Sequence, residues 1–262
     1  MILAAVLLLD SNLRLTVTQY TVSSPMLPAG FQDYRIVQLS DLHTMEFGPN
    51  NKRLVKKVAD LDPHMIALTG DYIESAADLP VVAALVSQLS DIAPVYYSSG
   101  NHDWASGAIP QLRETIEEHR GTYLSGRHQI LERSGDSMVL IGLEDPNSRA
   151  DLPTPDKVLA DVSARFPNTC TVVLAHRNDF PEKYPDLPCD VILSGHGHGG
   201  LIRLPFVGGL IGTEMNLFPT YDEGVFPSGR YQMVVSRGLG GAPFYPRLLN
   251  NPEIVLVTLE QK

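Results

Sequence analysis

Seven side chains of the types that bind metal ions lie in five short polar segments of this 262-residue chain. Their donor atoms are carboxylate or amide oxygens and imidazole nitrogens, and no cysteine is among them. This mixture suits Mn, Fe or Zn as a catalytic ion and argues against a structural zinc site built from thiolates. The seven candidate ligands are Asp41, His43, Asp71, Asn101, His176, His196 and His198.

The number and spacing of these residues predict two metal ions that share a ligand. Seven side chains are too many for one ion with an open catalytic position, but they suit two ions bridged by one carboxylate. Asp41 precedes His43 by two residues, and His196 precedes His198 by two. In extended backbone such pairs point to the same side, so each pair can reach one metal cluster. Two ions roughly 3.5–4 Å apart lower the pKa of bound water and clamp a phosphoryl group, which favours phosphate-ester hydrolysis.

Each polar segment directly follows a short apolar run that is typical of a buried strand. These runs are Arg35–Leu39, Met65–Leu68, Val95–Tyr97, Thr171–Leu174 and Val191–Leu193. Further strands are predicted at Met138–Ile141, Tyr231–Val235 and Ile254–Leu259, and the alternation of Leu13, Leu15 and Val17 predicts a half-exposed first strand. Helical periodicity predicts helices at Leu54–Leu61, Val81–Leu89 and Gln111–His119 and after Thr154-Pro155.

The alternation of strands and helices predicts an α/β domain whose central strands are largely parallel. In open α/β sheets the ligand crevice lies outside the carboxyl ends of the strands, so the five polar loops are expected to converge on one site. Glycines such as Gly70, Gly100 and Gly195 flank the candidate ligands. Glycine permits tight turns and a close approach of the backbone to an ion or an anion.

The composition narrows the class of protein. The apolar fraction is 44% and the charged fraction is 19%, which is typical of a globular chain and excludes extensive disorder. A polytopic membrane protein is excluded because no apolar run approaches the roughly 20 residues of a spanning helix. A net charge of −10 disfavours a nucleic-acid partner, which requires a Lys/Arg surface. Cys170 and Cys189 are predicted to be buried thiols.

The N-terminal residues Ile2–Leu9 are continuously apolar. This run is too short to span a bilayer, and it lacks the basic start and the cleavage site of a signal peptide. Two interpretations stay open: a buried first helix or strand, or the end of a membrane anchor whose beginning lies outside this chain. We therefore expect an N-terminal apolar segment and edge strand over residues 1–30 and a single domain over residues 31–262.

Five motifs, in order and spacing, resemble the signature of calcineurin-like metallophosphoesterases. They are Ser40-Asp41-Leu42-His43, Thr69-Gly70-Asp71, Gly100-Asn101-His102-Asp103, His176 and Gly195-His196-Gly197-His198. Three further segments of this chain resemble the bacterial cell-envelope branch of that superfamily: Leu193–Pro205, Ser236–Gly240 and Asn251–Ile254. The resemblance extends over most of the chain, from about Phe31 to Leu259. It implies a four-layer α-β-β-α sandwich: two mixed sheets flanked by helices, with a binuclear metal site at the carboxyl ends of strands.

The resemblance also implies a role for each residue. One metal would be held by Asp41, His43, Asp71 and His198, and the other by Asp71, Asn101, His176 and His196, with Asp71 as the bridge. His102 would protonate the leaving oxygen or stabilise the charge of the transition state. Asp103 would orient either His102 or a metal ligand. Two divalent ions per chain are expected, Mn²⁺ in first place, with Fe, Zn or Co as alternatives.

The implied function is hydrolysis of a small phosphate ester by a metal-bridging hydroxide, as a phosphodiesterase or pyrophosphatase. The substrate is expected to be lipid- or nucleotide-linked, with no stable nucleic-acid partner. The resemblance favours membrane association through the N-terminus or a place in the cell envelope, and a soluble cytoplasmic protein stays an alternative. Two other hypotheses are a catalytically inactive binding scaffold and a metal-dependent amide or peptide hydrolase.

Two features depart from the family pattern. Arg177-Asn178 follows His176 where this branch more often has Asn-Pro, and Gly197 stands where a hydroxyl residue is commoner. For each of Arg177, Arg203 and Arg237, contact with substrate phosphate and a surface ion pair are both open. The apolar stretch Leu204–Ile211 would form either a wall for a lipid or aromatic group or a packed connection. Glu74 is open as a site neighbour or as a helix or loop start, and Glu144-Asp145 is predicted to be structural or at the rim of the site.

Overall fold

Two mixed six-stranded sheets dominate the computed structural model, which describes residues 2–148, 151–213, 215–241 and 247–262. In chain order the strands are β1 (Thr16–Ser24), β2 (Tyr34–Leu39), β3 (Met65–Thr69), β4 (Val95–Ser98), β5 (Gly121–Tyr123), β6 (Arg127–Arg133), β7 (Asp136–Gly142), β8 (Thr171–Leu174), β9 (Val191–Ser194), β10 (Arg203–Leu204), β11 (Gly208–Gly209), β12 (Gly224–Ser228), β13 (Tyr231–Val235) and β14 (Glu253–Gln261). The helices are α1 (Ile2–Leu13), α2 (Lys52–Asp60), α3 (Leu79–Ser90), α4 (Asn101–Ala105), α5 (Ile109–Glu118), α6 (Pro155–Arg165) and α7 (Phe180–Lys183).

The first sheet has the order β1-β14-β2-β3-β4-β5, and the second has the order β12-β13-β9-β8-β7-β6. Strands β2 to β5 run parallel to one another, as do β7, β8, β9 and β13. The strand β14 is antiparallel to β2, and the edge strands β6 and β12 are antiparallel to their neighbours. The predicted parallel centre of an α/β domain is therefore confirmed.

Apolar side chains fill three layers. Between the sheets, Ile36 and Val257 of the first sheet share a buried cluster with Leu140 and Val172 of the second. Residues of α2, α3 and α5 cover the outer face of the first sheet, and α6 and α7 cover the outer face of the second. Alternate residues of each central strand thus face opposite apolar layers, which explains their continuous apolar sequences. The predicted four-layer sandwich is confirmed.

The N-terminal segment differs in part from the prediction. Leu13 is the last residue of α1 rather than part of a strand, because Arg14 N still donates to Asp10 O at 3.1 Å and the strand begins only at Thr16. Among the α1 side chains that the structure describes, Leu8 and Leu9 are exposed and Ser11 is buried. The interpretation of residues 2–6 as a buried element lies outside the described side chains. No helix in the described ranges is long and apolar enough to cross a membrane.

The strand β1 lies at the edge of the first sheet, where it pairs in parallel with β14. Val22 of this strand is buried between the sheets. The division of the chain at residue 30 stays a prediction. Cys170 and Cys189 are both buried and unpaired, as predicted.

Candidate metal centre

The predicted ligands come together at one end of the sandwich. They lie in the loops that follow β2, β3 and β4 of the first sheet and β8 and β9 of the second. Backbone hydrogen bonds join neighbouring loops, since Asp41 N donates to Gly70 O at 2.9 Å and Gly195 N donates to His176 O at 3.0 Å. The site is therefore held by both sheets, and the predicted convergence of carboxyl ends is what brings its residues together.

One group of donor atoms consists of Asp41, His43 and His198, whose candidate ligand atoms all lie within 4.8 Å of one another. His43 Nε2 is 3.2 Å from His198 Nε2, and His198 Nε2 is 3.5 Å from Asp41 Oδ1. All three residues are buried. Two imidazoles and a carboxylate at this spacing could hold one divalent ion.

A second group consists of Asp71, His176 and His196, again with ligand atoms within 4.8 Å of one another. His176 Nε2 lies 3.0 Å from Asp71 Oδ2 and 3.3 Å from His196 Nδ1. Asp71 Oδ2 also lies 3.8 Å from His43 Nε2 of the first group. The Asp71 carboxylate therefore stands between the two groups, where a bridging ligand would be required.

Asn101 is the candidate ligand with the least direct geometric evidence. Its Oδ1 atom is buried and has no hydrogen-bond partner within the described part of the chain. The next residue approaches the second group, because His102 N donates to Asp71 Oδ1 at 2.8 Å. A buried amide oxygen without a donor is costly, so this atom fits a cation as its missing partner.

Hydrogen bonds to the outer ring nitrogens indicate which tautomer each ring adopts. His43 Nδ1 lies 2.6 Å from Glu74 Oε1, and His198 Nδ1 lies 3.3 Å from Gly240 O, so both Nδ1 atoms donate. In the neutral rings both Nε2 atoms then carry lone pairs, and these atoms face each other at 3.2 Å. Since two lone pairs at this distance repel each other, the arrangement fits a metal ion that accepts both.

Burial determines the protonation of two of the candidate ligand imidazoles. It lowers the pKa of His198 well below the ordinary value, with a further effect from His43, and it lowers the pKa of His196, with a further effect from His176. Both rings are therefore neutral at pH 7, the form that binds metal. Burial also opposes protonation of His176, but the Asp71 carboxylate raises the pKa of that ring to about 10. Metal binding at the second group must therefore displace a proton.

The backbone at the ligands differs from the extended form that their spacing predicts. The φ angles lie in the left-handed region for Asp41 (52°), His43 (45°), Asp71 (60°), His196 (66°) and His198 (47°). The prediction of extended pairs is wrong, although both pairs do converge. Such a conformation costs a non-glycine residue roughly 1–3 kcal/mol and persists only where the surrounding structure imposes it. Strain of this kind is common at functional sites.

Two glycines allow neighbouring loops to approach the carboxylates. A Cβ atom at Gly100 would lie 2.2 Å from Asp71 Oδ1, and one at Gly195 would lie 2.3 Å from Asp41 Oδ2. Both contacts are far inside van der Waals distance, so no other residue fits either position without movement of the ligand.

The family model of calcineurin-like phosphoesterases matches residues 34–200, a range that contains all the candidate ligands. The chain belongs to this family. As a calcineurin-like phosphoesterase it is a hydrolase of phosphate ester bonds, and its two His/Asp groups could hold the divalent ions that the family binds.

Similar bacterial proteins cover most of this phosphoesterase. The uncharacterized metallophosphoesterase YkuE of Bacillus subtilis is 29% identical over 93% of this chain and 85% of that protein. Phosphodiesterase YaeI of Escherichia coli is 27% identical over 86% of this chain and 82% of its own length. UDP-2,3-diacylglucosamine pyrophosphatase LpxG of Chlamydia trachomatis is 27% identical over 95% of this chain and 90% of its own length.

Asp103 of this phosphoesterase holds the backbone around the Asp71 carboxylate. Its buried side chain accepts hydrogen bonds from the backbone N–H groups of Gly100, Asp71, Tyr72 and Ile73 and from the hydroxyl of Tyr97. Burial, together with the charge of Asp71, raises the pKa of the Asp103 carboxyl. Of the two roles that the sequence left open, this geometry corresponds to orientation of a candidate metal ligand, since three of the five hydrogen bonds come from the loop of Asp71.

Glu74 contacts the His102 ring that the sequence predicts as catalytic. Glu74 Oε2 lies 2.8 Å from His102 Nδ1, while Oε1 of the same carboxylate contacts His43. This hydrogen bond raises the pKa of His102, and in turn the two rings lower the pKa of Glu74 to about 2 although burial opposes that change. The sequence left Glu74 open as a site neighbour, and its position three residues after Asp71 is the signal that could have identified it.

The three arginines predicted near the substrate occupy different environments. Arg177 Nε donates to Asp145 Oδ2 at 2.8 Å, and its Nη1 lies 3.1 Å from His196 Nε2, beside the second group. Arg203 pairs with Asp222 and Glu223, and Arg237 pairs with Glu223 and Glu253. Substrate contact by Arg203 and Arg237 stays a prediction, whereas Arg177 lies at the wall of the metal centre. Asp145 therefore has the structural role that the sequence predicts.

The two departures from the family pattern lie against each other. A Cβ atom at Gly197 would stand 2.5 Å from Nδ2 of Asn178, which donates to Tyr221 O at 2.6 Å. The Asn178 amide thus occupies the space that a larger residue at position 197 would need. Glycine at this position and asparagine at 178 therefore complement each other.

Gly197→Ser is expected to lower the free energy of unfolding by about 1–3 kcal/mol, because the new side chain displaces the Asn178 amide. In an Asn178→Ala background the same change is expected to cost much less, since the obstructing amide is gone. Urea unfolding of the metal-free wild type, both single variants and the double variant measures the coupling. The steric explanation would be contradicted if the loss of unfolding free energy in the double variant equalled the sum of the losses in the two single variants.

Proposed function

We propose that this calcineurin-like phosphoesterase hydrolyses phosphodiester or pyrophosphate bonds with two divalent ions, Mn²⁺ in first place. The observation that carries the proposal is the Asp71 carboxylate, which lies 3.0 Å from His176 Nε2 and 3.8 Å from His43 Nε2. The first ion would be held by Asp41, His43, Asp71 and His198. The second would be held by Asp71, Asn101, His176 and His196.

When bound, such ions supply a water-derived nucleophile near neutral pH and offset the charge of the phosphate. The protein side chains contribute the remaining steps. His102 is partly exposed beside the ligands, and Glu74 fixes its Nδ1, so Nε2 is directed away from that carboxylate and is available to the leaving oxygen. We assign it the general acid, which protonates that oxygen as the P–O bond breaks. The Arg177 guanidinium would bind a non-bridging phosphate oxygen.

The preference for diesters and pyrophosphates rests on two relatives, which are named as a phosphodiesterase and as a pyrophosphatase acting on a diacylated sugar nucleotide. An apolar wall would suit a lipid-linked substrate. The segment after His198 leaves Leu204, Phe206 and Val207 exposed. The net charge of −10 disfavours a polynucleotide substrate.

Metal removal and replacement test this function. Treatment with EDTA is expected to abolish hydrolysis of bis(4-nitrophenyl) phosphate, and Mn²⁺ is expected to restore it, because the proposed water-derived nucleophile requires the bound ions. A panel of nucleotide, phospholipid and sugar-nucleotide phosphates then ranks the natural bond types. Absence of turnover with every divalent metal on mono- and diesters would refute the proposal. Fewer than two ions per chain under saturating Mn²⁺ would favour the inactive scaffold instead.

A further inference from the structure

Exposed apolar side chains are concentrated on one face of the protein. Of the thirteen large apolar side chains that are exposed in the described residues, ten belong to α1 or to the region from residue 204 to 249. We call this surface the apolar face, and it consists of Leu8, Leu9, Leu13, Leu204, Phe206, Val207, Met215, Leu217, Phe218 and Leu249.

The two parts of the apolar face are joined by the segment 247–249. Leu249 N donates to Ser11 Oγ of α1 at 2.8 Å, and Arg203 N donates to Leu248 O at 3.0 Å. A cavity of about 590 Å³ lies between α1 and the β10–β11 hairpin, with Leu7, Phe206 and Leu249 among its lining residues. The exposed residues of α1 and the hairpin therefore form one continuous surface.

The residues that protrude furthest adopt a backbone that disfavours them. Phe206 lies in the turn between β10 and β11 with a φ of 66°, and its side chain is fully exposed. Met215 and Phe218 also have positive φ values, 61° and 52°, and are exposed. Glycine or asparagine would occupy such turns at lower cost. These side chains gain little from packing against the described residues, and exposed apolar side chains of this kind are typical of a surface that binds a partner.

A basic helix borders the apolar face. Arg53 Nη2 of α2 donates to Leu13 O of α1 at 3.3 Å. The nine residues of α2 carry Lys52, Arg53, Lys56 and Lys57 against a single acid, Asp60. The helix α2 is therefore positively charged although the chain as a whole has a net charge of −10. A positively charged helix complements an anionic surface.

We infer that the apolar face docks on a lipid bilayer that contains anionic headgroups. The turn at Phe206-Val207 and the exposed leucines of α1 enter the boundary between headgroups and acyl chains, and α2 lies at the headgroups. We place α1 along the surface of the bilayer, because Leu7, next to its exposed leucines, lines the same cavity as Phe206 of the turn. A second protein copy would need a pocket for each protruding ring, whereas fluid acyl chains adapt to them.

Docking in this way places the metal centre beside the bilayer. Asn250 Nδ2 donates to His198 O at 2.6 Å, and Arg203 Nη1 donates to Gly199 O at 2.8 Å. Asn250 and Arg203 are neighbours in sequence of Leu249 and Leu204 of the apolar face, so hydrogen bonds connect this face directly to the loop that carries the candidate ligand His198. The inference does not depend on which phosphate ester is cleaved, because membrane binding is measured without turnover.

Vesicle flotation tests the docking. The full chain is expected to float with vesicles of phosphatidylcholine and phosphatidylglycerol, and Phe206→Ser/Val207→Ser is expected to lower the bound fraction at least about fivefold. Ile130→Ser removes an equally apolar exposed side chain on β6, away from this face, and is the matched control that should bind normally. Lys52→Gln/Arg53→Gln should weaken binding to the anionic vesicles alone. Raised salt should have the same effect as that double variant.

A labelled variant locates the contact. Since Cys170 and Cys189 are buried, Phe206→Cys offers a single exposed thiol for an environment-sensitive fluorophore in the described part of the chain. Its emission should shift to the blue with vesicles, and lipids carrying a quencher in the upper acyl chain should quench it. Equal flotation of Phe206→Ser/Val207→Ser and Ile130→Ser would overturn the inference. So would a dimer in sedimentation velocity that the Phe206→Ser/Val207→Ser variant dissociates, since the occupant would then be a second copy.

Discussion

Asp71→Asn is expected to empty both metal positions and to lower kcat/KM by at least about a thousandfold. The change keeps the shape of the side chain but removes the charge that lies between the two imidazole groups, 3.0 Å from His176 Nε2 and 3.8 Å from His43 Nε2. Both ions then lose the same anionic ligand. Metal content after gel filtration, measured by atomic emission beside the steady-state rate with bis(4-nitrophenyl) phosphate, reports both effects.

Asp145→Asn is the matched control for this variant. Its carboxylate is also buried near the site, but it pairs with Arg177 and belongs to neither His/Asp group. We expect it to retain both ions, with a loss of activity of about ten- to a hundredfold through the altered position of Arg177. Two tightly bound ions in Asp71→Asn would show that this carboxylate does not bridge. Thermal melts of both variants without metal exclude loss of folding as the cause.

Much of the fold could be predicted from the sequence because the central strands are buried on both faces. The sequence predicts strands at Thr171–Leu174 and Tyr231–Val235, with the same bounds as β8 and β13 of the structure. The first polar residue after such an apolar run marks the point where the chain leaves the buried sheet, so the end of the strand can be read from the sequence. The convergence of the metal-ligand candidates follows from the same pattern, since parallel strands present their carboxyl ends at one edge.

The local conformation of the ligand loops could not be predicted in this way. Asp41 and His43 adopt positive φ values because Asp41 N bonds to Gly70 O and His43 N bonds to Asp71 O, on a neighbouring strand loop. Such cross-loop bonds are tertiary and leave no periodic signal in the sequence. The ion-pair partners of Arg237 likewise lie outside its own loop, since Glu253 belongs to β14, 16 residues further along the chain.

His102→Ala is expected to lower kcat by about a hundred- to a thousandfold while both metal ions stay bound, because the ring supplies a proton rather than a ligand bond. The loss should depend on the leaving group. An alkyl phosphodiester needs protonation of the departing oxygen and should show the full effect, whereas nitrophenolate departs as a stable anion and should show little. An equal loss for both substrates would contradict the role as general acid and favour stabilisation of charge on the phosphate.

Glu74→Gln separates the position of the His102 ring from its acidity. The carboxylate lies 2.8 Å from His102 Nδ1 and is the main reason that the pKa of His102 is raised. A raised pKa keeps the ring protonated to higher pH, so loss of the carboxylate must lower this pKa, whatever charge the metal ions add in both proteins. The basic limb of the kcat profile for an alkyl diester should therefore move to lower pH in Glu74→Gln and disappear in His102→Ala. An unmoved limb would mean that another group, such as a metal-bound water, sets it, and Glu74 would then serve only to hold the rings of His102 and His43 in place.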